Sequence, residues 1–265
     1  MSQEYYNNDE NNADLGETKN KYIFLNLLAN SAWVVFCFFI AQIFVFLIGQ
    51  LFNVFNISLI STNEAVLNSV VLSAVYLITI FLVLFLPRIF EKLKHYHLEN
   101  VDIGWHRLPR WSDILLTPAS LVIYFILSAL TIFVISKVFS NFDINQAQNI
   151  GFDNLNTQID YILAFVSLVI IAPIAEETLF RGYLYGKLRQ HVPIWLAVVV
   201  VSVTFGALHG SWNVAIDTFV LSIILCILRE MTGGLWAPLL LHMTKNGIAF
   251  YFLFINPTLL TKLGG

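Results

Sequence analysis

The sequence predicts an all-α, polytopic transmembrane helix bundle of about seven spans, and three observations carry that expectation. Of 265 residues, 58% are apolar and only 12% charged, where soluble domains hold about 25% charged residues. The apolar residues gather in runs close to the ~20 residues that a helix needs to cross the hydrocarbon core. Most Lys and Arg fall in alternate connections, the asymmetry expected of cytoplasmic loops. The net charge of −3 adds little to this, and no basic run offers a surface for nucleic acid.

The leader MSQEYYNNDENNADLGETKNK is polar, acidic and Asn-rich and lacks the basic region of a secretory signal. Residues 1–21 are therefore expected to form a disordered cytoplasmic tail, and residues 22–265 a single transmembrane domain. Spans at 27–49 and 66–86 make a helical hairpin, the second ending at Pro87. Residues 88–110 bring Arg88, Lys92, Lys94, Arg107 and Arg110 together with three His, which marks a cytoplasmic loop. Its stretch VDIGWHRLPRWSD, with Trp105 and Trp111, suits a segment lying at headgroup level. Nothing places His95, His97 and His106 on one helical face, so they read as interfacial polarity and not as a metal site.

A third span covers 114–138, and the Asn- and Asp-rich connection 140–157, which has no basic residue, faces outward. From 159 the apolar spacing continues past Pro173 through Leu179, Tyr183, Leu184 and Leu188, so one long helix is expected over 159–190. It breaks at His191-Val192-Pro193. Spans at 194–209, 214–228 and 235–254 follow, with room for an eighth short helix, re-entrant or on the surface. With the tail inside, eleven of the fourteen Lys and Arg lie on the inner side, so the chain is expected to be a multi-pass protein of the cell membrane with a cytoplasmic N-terminus. Cys37 and Cys226 sit in apolar runs and read as small buried side chains.

Against this apolar background, the run APIAEETLFRG sets Glu176, Glu177 and Arg181 within six residues. Each ionisable side chain inside a membrane costs roughly 2.5–3.5 kcal/mol on insertion scales, so the three need partners or a water-filled cavity. Glu177 and Arg181 are four apart and can pair, while Glu176 is turned about 100° away on a helix. His209 follows in FGALH, and His242 and Asn246 share a helical face in HMTKN. Glu176 and His209 are sixteen and seventeen residues from the turn at Val192, which at about 1.5 Å per residue puts both roughly 25 Å away and level with each other. His242 lies only seven residues into its span, and its helix must be shifted along the membrane normal to meet them. Taken singly, each group has a structural explanation: an ion pair at the membrane surface, a helix cap, interhelical hydrogen bonds of about 0.6 kcal/mol. Together, a carboxylate, imidazoles and an amide on three helices are the parts that activate a water and stabilise an oxyanion.

EETLFRG, FGALH and HMTKN, in this order, resemble the EExxxR, FxxxH and HxxxN motifs of the CPBP or Abi family, the CAAX prenyl endopeptidases and bacteriocin-processing membrane proteases. The resemblance covers about residues 159–250, and TGGLWAPLLLH is similar to the family's run into its last motif. It implies an intramembrane endopeptidase in which Glu176 and His209 activate water, His242 and Asn246 stabilise the oxyanion, and Glu177 with Arg181 supports them. Its implied partners are membrane lipids and a peptide or protein substrate, lipidated or not. The expected cofactor is none, with zinc as the alternative, since two His and a Glu can ligate it although no HExxH is present. A non-proteolytic immunity or scaffold protein of the same family is the competing reading. Lys245, inside the third motif, departs from the pattern, and either pairs with Asp217 on the preceding helix or snorkels outward.

Overall fold

A computed structural model describes residues 2–55, 63–94, 101–139, 151–152 and 154–259, with the side chains of 2–22, 90 and 92–94 excepted. All of the regular structure among the described residues is helical. Eight helices follow one another: α1 (Ser2–Val54), α2 (Glu64–Leu84), α3 (Leu86–Lys94), α4 (Trp111–Val138), α5 (Gln158–Arg189), α6 (Ile194–Ala207), α7 (Trp212–Thr232) and α8 (Trp236–Ile255). Over 1–21, where a disordered tail is expected, α1 runs helical from Ser2.

The seven longer helices stand where seven spans are expected, and α3 is the additional short one. Five of them are long and apolar enough to cross a membrane; α6 is apolar but has only 14 residues, and α7 carries Asp217, Arg229 and Glu230. Large apolar side chains such as Phe39, Phe46, Leu77, Leu115, Ile126 and Phe133 are exposed on the outer surface, as the hydrocarbon of a bilayer requires. The chain is an integral multi-pass membrane protein.

Of three apolar clusters among the described residues, the two larger hold most of the bundle. One joins α1, α2, α5 and α6 around Val34, Val83, Leu184, Val201 and Phe205; the other joins α4, α7 and α8 around Tyr124, Leu221, Leu225 and Leu241. α6 and α7 cross closely at Gly206, where a Cβ would stand 2.7 Å from the Ala215 carbonyl oxygen. No side chain fits there, so the glycine of FGALH sets the distance between these two helices.

The connection between α3 and α4, the inner loop of the expected orientation, explains the register of α8. Residues 101–110 fold back over the lower part of α5, and a Cβ on Gly182 would lie 2.7 Å from the Ile103 side chain. Leu235 N–H donates to Gly104 O at 3.1 Å, and Trp236 Nε1 donates to Arg107 O at 2.7 Å. Arg107 is fixed in turn by both oxygens of the fully buried Asp113, at 2.6 and 2.9 Å. The loop packs against the start of α8, where Leu235 would stand 3.5 Å from a Cβ on Gly182, so that this helix begins level with Gly182 and not with the end of α5 at Arg189. That is the displacement His242 needs. His106 is exposed and contacts Asp102 at 3.2 Å, in keeping with interfacial polarity, while His95 and His97 lie outside the described residues. Cys37 and Cys226 are both buried and free.

Candidate active site

α5 is a single helix over Gln158–Arg189, as the apolar spacing predicts, but its turns are not uniform. Val166–Ile171 and Glu177–Leu184 are π-helical, with Ala172–Glu176 α-helical between them. Wider turns of this kind recur where a helix carries function, and here they coincide with EETLFRG.

The two adjacent glutamates have different surroundings. Glu177 is fully buried: its Oε1 accepts from Arg181 Nη1 at 3.2 Å and from His242 Nδ1 at 2.7 Å. The Arg181 guanidinium, also fully buried, lies over the Phe205 ring at 4.5 Å, a cation–π contact that compensates part of its desolvation. Glu176 faces the cavity with its side chain 13% exposed; its Oε1 accepts from the Tyr76 hydroxyl, and its Oε2 lies 3.6 Å from His242 Nε2. His242 thus stands between two carboxylates, one on each ring nitrogen. A pairing of Glu177 with Arg181 was legible in the spacing; its second partner, His242, was not.

His209 sits just past the end of α6. Its Nδ1 contacts the Phe205 carbonyl at 2.8 Å, and because that oxygen only accepts, the proton is on Nδ1 and Nε2 is the basic nitrogen of the neutral ring. The imidazole packs against the Phe205 ring at 4.8 Å between centroids and is within electrostatic reach of Glu176, His242 and Lys245. Asn246 donates from Nδ2 to Leu168 O at 3.0 Å, in the first π-helical stretch of α5, which orients its amide.

Glu176, His209, His242 and Asn246 all line one cavity of about 610 Å³ at the junction of the two larger apolar clusters, with all seven longer helices contributing to its wall. On the side of α7 the wall carries a second ion pair: Lys245 Nζ lies 3.1 Å from Asp217 Oδ2, and Asp217 Oδ1 accepts from Tyr124 and Ser128, each at 2.6 Å. The expected Lys245–Asp217 partnership is thus observed, with two hydroxyls from α4 added to it.

Tyr76 escaped the reading of the sequence. A tyrosine well inside a span, away from the interface where such rings gather, needs a partner for its hydroxyl, and that was the available signal. Among the described residues no three His, Cys, Asp or Glu side chains cluster so as to hold a metal ion.

Residues 158–248 match a sequence-family model described as type II CAAX prenyl endopeptidase, Rce1-like. An uncharacterised 24.3 kDa protein of Escherichia coli is 33% identical over 98 residues, which are 35% of this chain and 45% of that protein. The membrane-embedded CAAX protease MroQ of Staphylococcus aureus (strain USA300) is 30% identical over 111 residues, 40% of this chain and 44% of MroQ. The chain thus spans under half the length of these curated relatives. No solved structure matches it. The stretch similar to the Rce1-like family of CAAX prenyl endopeptidases, residues 158–248, contains all three motifs.

Proposed function

We propose that this chain is an intramembrane endopeptidase that hydrolyses a peptide bond in a membrane-associated or small peptide precursor, lipidated or not. The observation that carries the reading is the convergence of Glu176, His209, His242 and Asn246 on one cavity inside an apolar bundle. In this scheme Glu176, assisted by His209, takes a proton from water as the water oxygen bonds to the scissile carbonyl carbon. The carbonyl becomes an oxyanion, which accepts hydrogen bonds from His242 Nε2 and the Asn246 amide. His242 acts here with a proton on each nitrogen, its Nδ1–H held by Glu177. When the tetrahedral intermediate collapses, the C–N bond breaks, Glu176 returns its proton to the leaving amine, and a new carboxylate and amine are released. The proposed setting is the cell membrane with the N-terminus cytoplasmic, in accord with the basic residues of 101–110 gathering at one end of the bundle with Arg189 and Arg229.

The test compares membrane and secreted peptides, by mass spectrometry, between wild-type cells and cells carrying Glu176→Gln, a substitution that keeps the side chain's volume. A precursor is expected to persist uncut in the variant, with cleavage reduced ~10²–10⁴-fold and the protein's abundance unchanged. Identical peptide profiles would overturn the enzyme reading and leave immunity or scaffolding by binding alone. Cleavage by purified protein is expected to survive chelation. A strict requirement for stoichiometric zinc would replace the scheme with a metal-dependent one.

A further inference from the structure

We infer that Tyr76, on α2, is a positioning residue for the reaction, holding one oxygen of Glu176 so that the other is presented to His242 and the cavity. The inference rests on Glu176 acting as the base that activates water. Tyr76 lies outside the matched stretch of 158–248, on a helix whose sequence is that of an ordinary membrane span.

A carboxylate at the end of a flexible side chain has two chemically equivalent oxygens and several rotamers. A general base must offer one of those oxygens in a fixed direction, within hydrogen-bond reach of the water it deprotonates. Nothing on α5 supplies that restraint: Arg181, four residues from Glu177, is taken by Glu177 and stacked on Phe205. The restraint comes from across the cavity. The Tyr76 hydroxyl donates to Glu176 Oε1, which leaves Oε2 directed at His242 Nε2, 3.6 Å away. The other charged or titratable groups around Glu176 are Glu177 on its own helix, His209 after α6, and His242 and Lys245 on α8. Tyr76 is thus the neutral donor among them.

Tyr76 is itself held. It is 8% exposed, belongs to the apolar cluster of α1, α2, α5 and α6, and has Phe38 of α1 at 6.4 Å between ring centroids. A ring packed in this way delivers its hydroxyl to one point, and the carboxylate that meets it there is ordered before substrate arrives. The contact also ties α2 to α5 inside the bundle, as the Asn63–Asp160 hydrogen bond does at the start of both helices. The first helical hairpin is therefore part of the catalytic apparatus as well as a membrane anchor.

The experiment uses the full chain, purified in detergent, with a quenched fluorogenic peptide selected from a mixed library because the wild-type protein cuts it. Tyr76→Phe keeps the ring and its packing and removes only the hydroxyl. It is expected to lower kcat about ten- to a hundred-fold, the range for losing one hydrogen bond to a charged group, while KM stays near the wild-type value. Ser69→Ala is the control on the same helix, because Ser69 is buried without a hydrogen-bond partner among the described residues and lines no part of the cavity. It is expected to leave both constants unchanged. An infrared carboxylate band that disappears in Glu176→Gln should change frequency in Tyr76→Phe and not in Ser69→Ala, a signature that loss of packing alone does not produce. Wild-type turnover with an unmoved band in Tyr76→Phe would overturn the inference while leaving the proteolytic reading in place. Cleavage retained by Glu176→Gln would overturn both.

Discussion

Two ion pairs flank the active-site region, Asp217–Lys245 in the cavity wall and Glu177–Arg181 buried behind it, and they differ in who holds them. Glu177 and Arg181 are fully buried, four residues apart on α5, and their third partner is His242 at 2.7 Å. Asp217 and Lys245 come from α7 and α8, are 23% and 17% exposed, and their further partners are Tyr124 and Ser128 of α4. The first pair ends on a ring that also meets Glu176. The second ends on hydroxyls of a helix that carries none of the three motifs. A charge pair in a membrane is costly in both places, so the pair alone does not reveal its purpose; the third partner does. By that criterion Glu177–Arg181 serves the chemistry in the proposed scheme, whereas Asp217–Lys245 fastens α4, α7 and α8 together.

The largest expected effect that tests this contrast is at Arg181. Arg181→Met leaves the buried Glu177 with His242 as its remaining partner, and breaking such a pair costs up to about 3–5 kcal/mol, measured as thermal unfolding in detergent. The double variant Arg181→Met/Glu177→Gln should regain most of that stability, because two charges have gone and none is stranded. It should not regain full turnover, since His242 Nδ1 then lacks its anionic acceptor. Recovery of both would show that the pair is structural after all.

Asp217→Asn comes next. It strands Lys245 at a partly solvated site and is expected to cost about 1–3 kcal/mol, with turnover per folded molecule close to wild type. A well-folded but inactive Asp217→Asn protein would move this pair into the chemistry and erase the contrast. Gly206→Ala tests the same wall from the other side. Its Cβ would meet the Ala215 carbonyl at 2.7 Å, so α7 must move away from α6, at a cost of about 1–3 kcal/mol for overpacking. Because Ala215 is two residues from Asp217, the Asp217→Asn and Gly206→Ala effects should be less than additive when combined.

The smallest effect is at the inner loop, where a third ionic contact is nearly on the surface. Burial raises the Asp102 carboxyl, but the Gly104 N–H, His106 and Arg229 outweigh it and hold the group below the usual aspartate range. A depressed folded pKa stabilises the protein above the ordinary value of about 3.9 and loses that contribution as pH falls through the lower folded value. Trp105, which donates to Thr178 Oγ1 at 3.0 Å, reports on the loop. Its fluorescence should begin to change at higher pH in Asp102→Asn than in wild type, by a small margin given the exposure of this carboxylate.

The outer end of the bundle shows what is legible without coordinates and what is not. Thr157 and Asp160 form a capping box that starts α5 within a residue of the expected place, because a cap and the first apolar turn are neighbours in the chain. Asn63 Nδ2 reaching Asp160 Oδ1 at 2.7 Å across 97 residues left no trace in the sequence. Tyr76 and Glu176 stand in the same relation, one hundred residues apart.

The sequence by itself determined the class, the seven helical segments, the long helix through Pro173, the candidate groups Glu176, His209, His242 and Asn246, and two ion pairs. These follow from composition, from hydrophobic period and from offsets of a few residues, all of which are local. Only the tertiary structure decided that His242 binds Glu177 as well as facing Glu176, that α2 supplies a donor to the cavity, and that the inner loop lifts α8 into register. The physical reason is that hydrophobic period fixes which face of a helix turns inward but is indifferent to how far the helix slides along its neighbours. That displacement is set by particular contacts such as Gly182 against Ile103 and Trp236 against Arg107, which only the folded chain brings together.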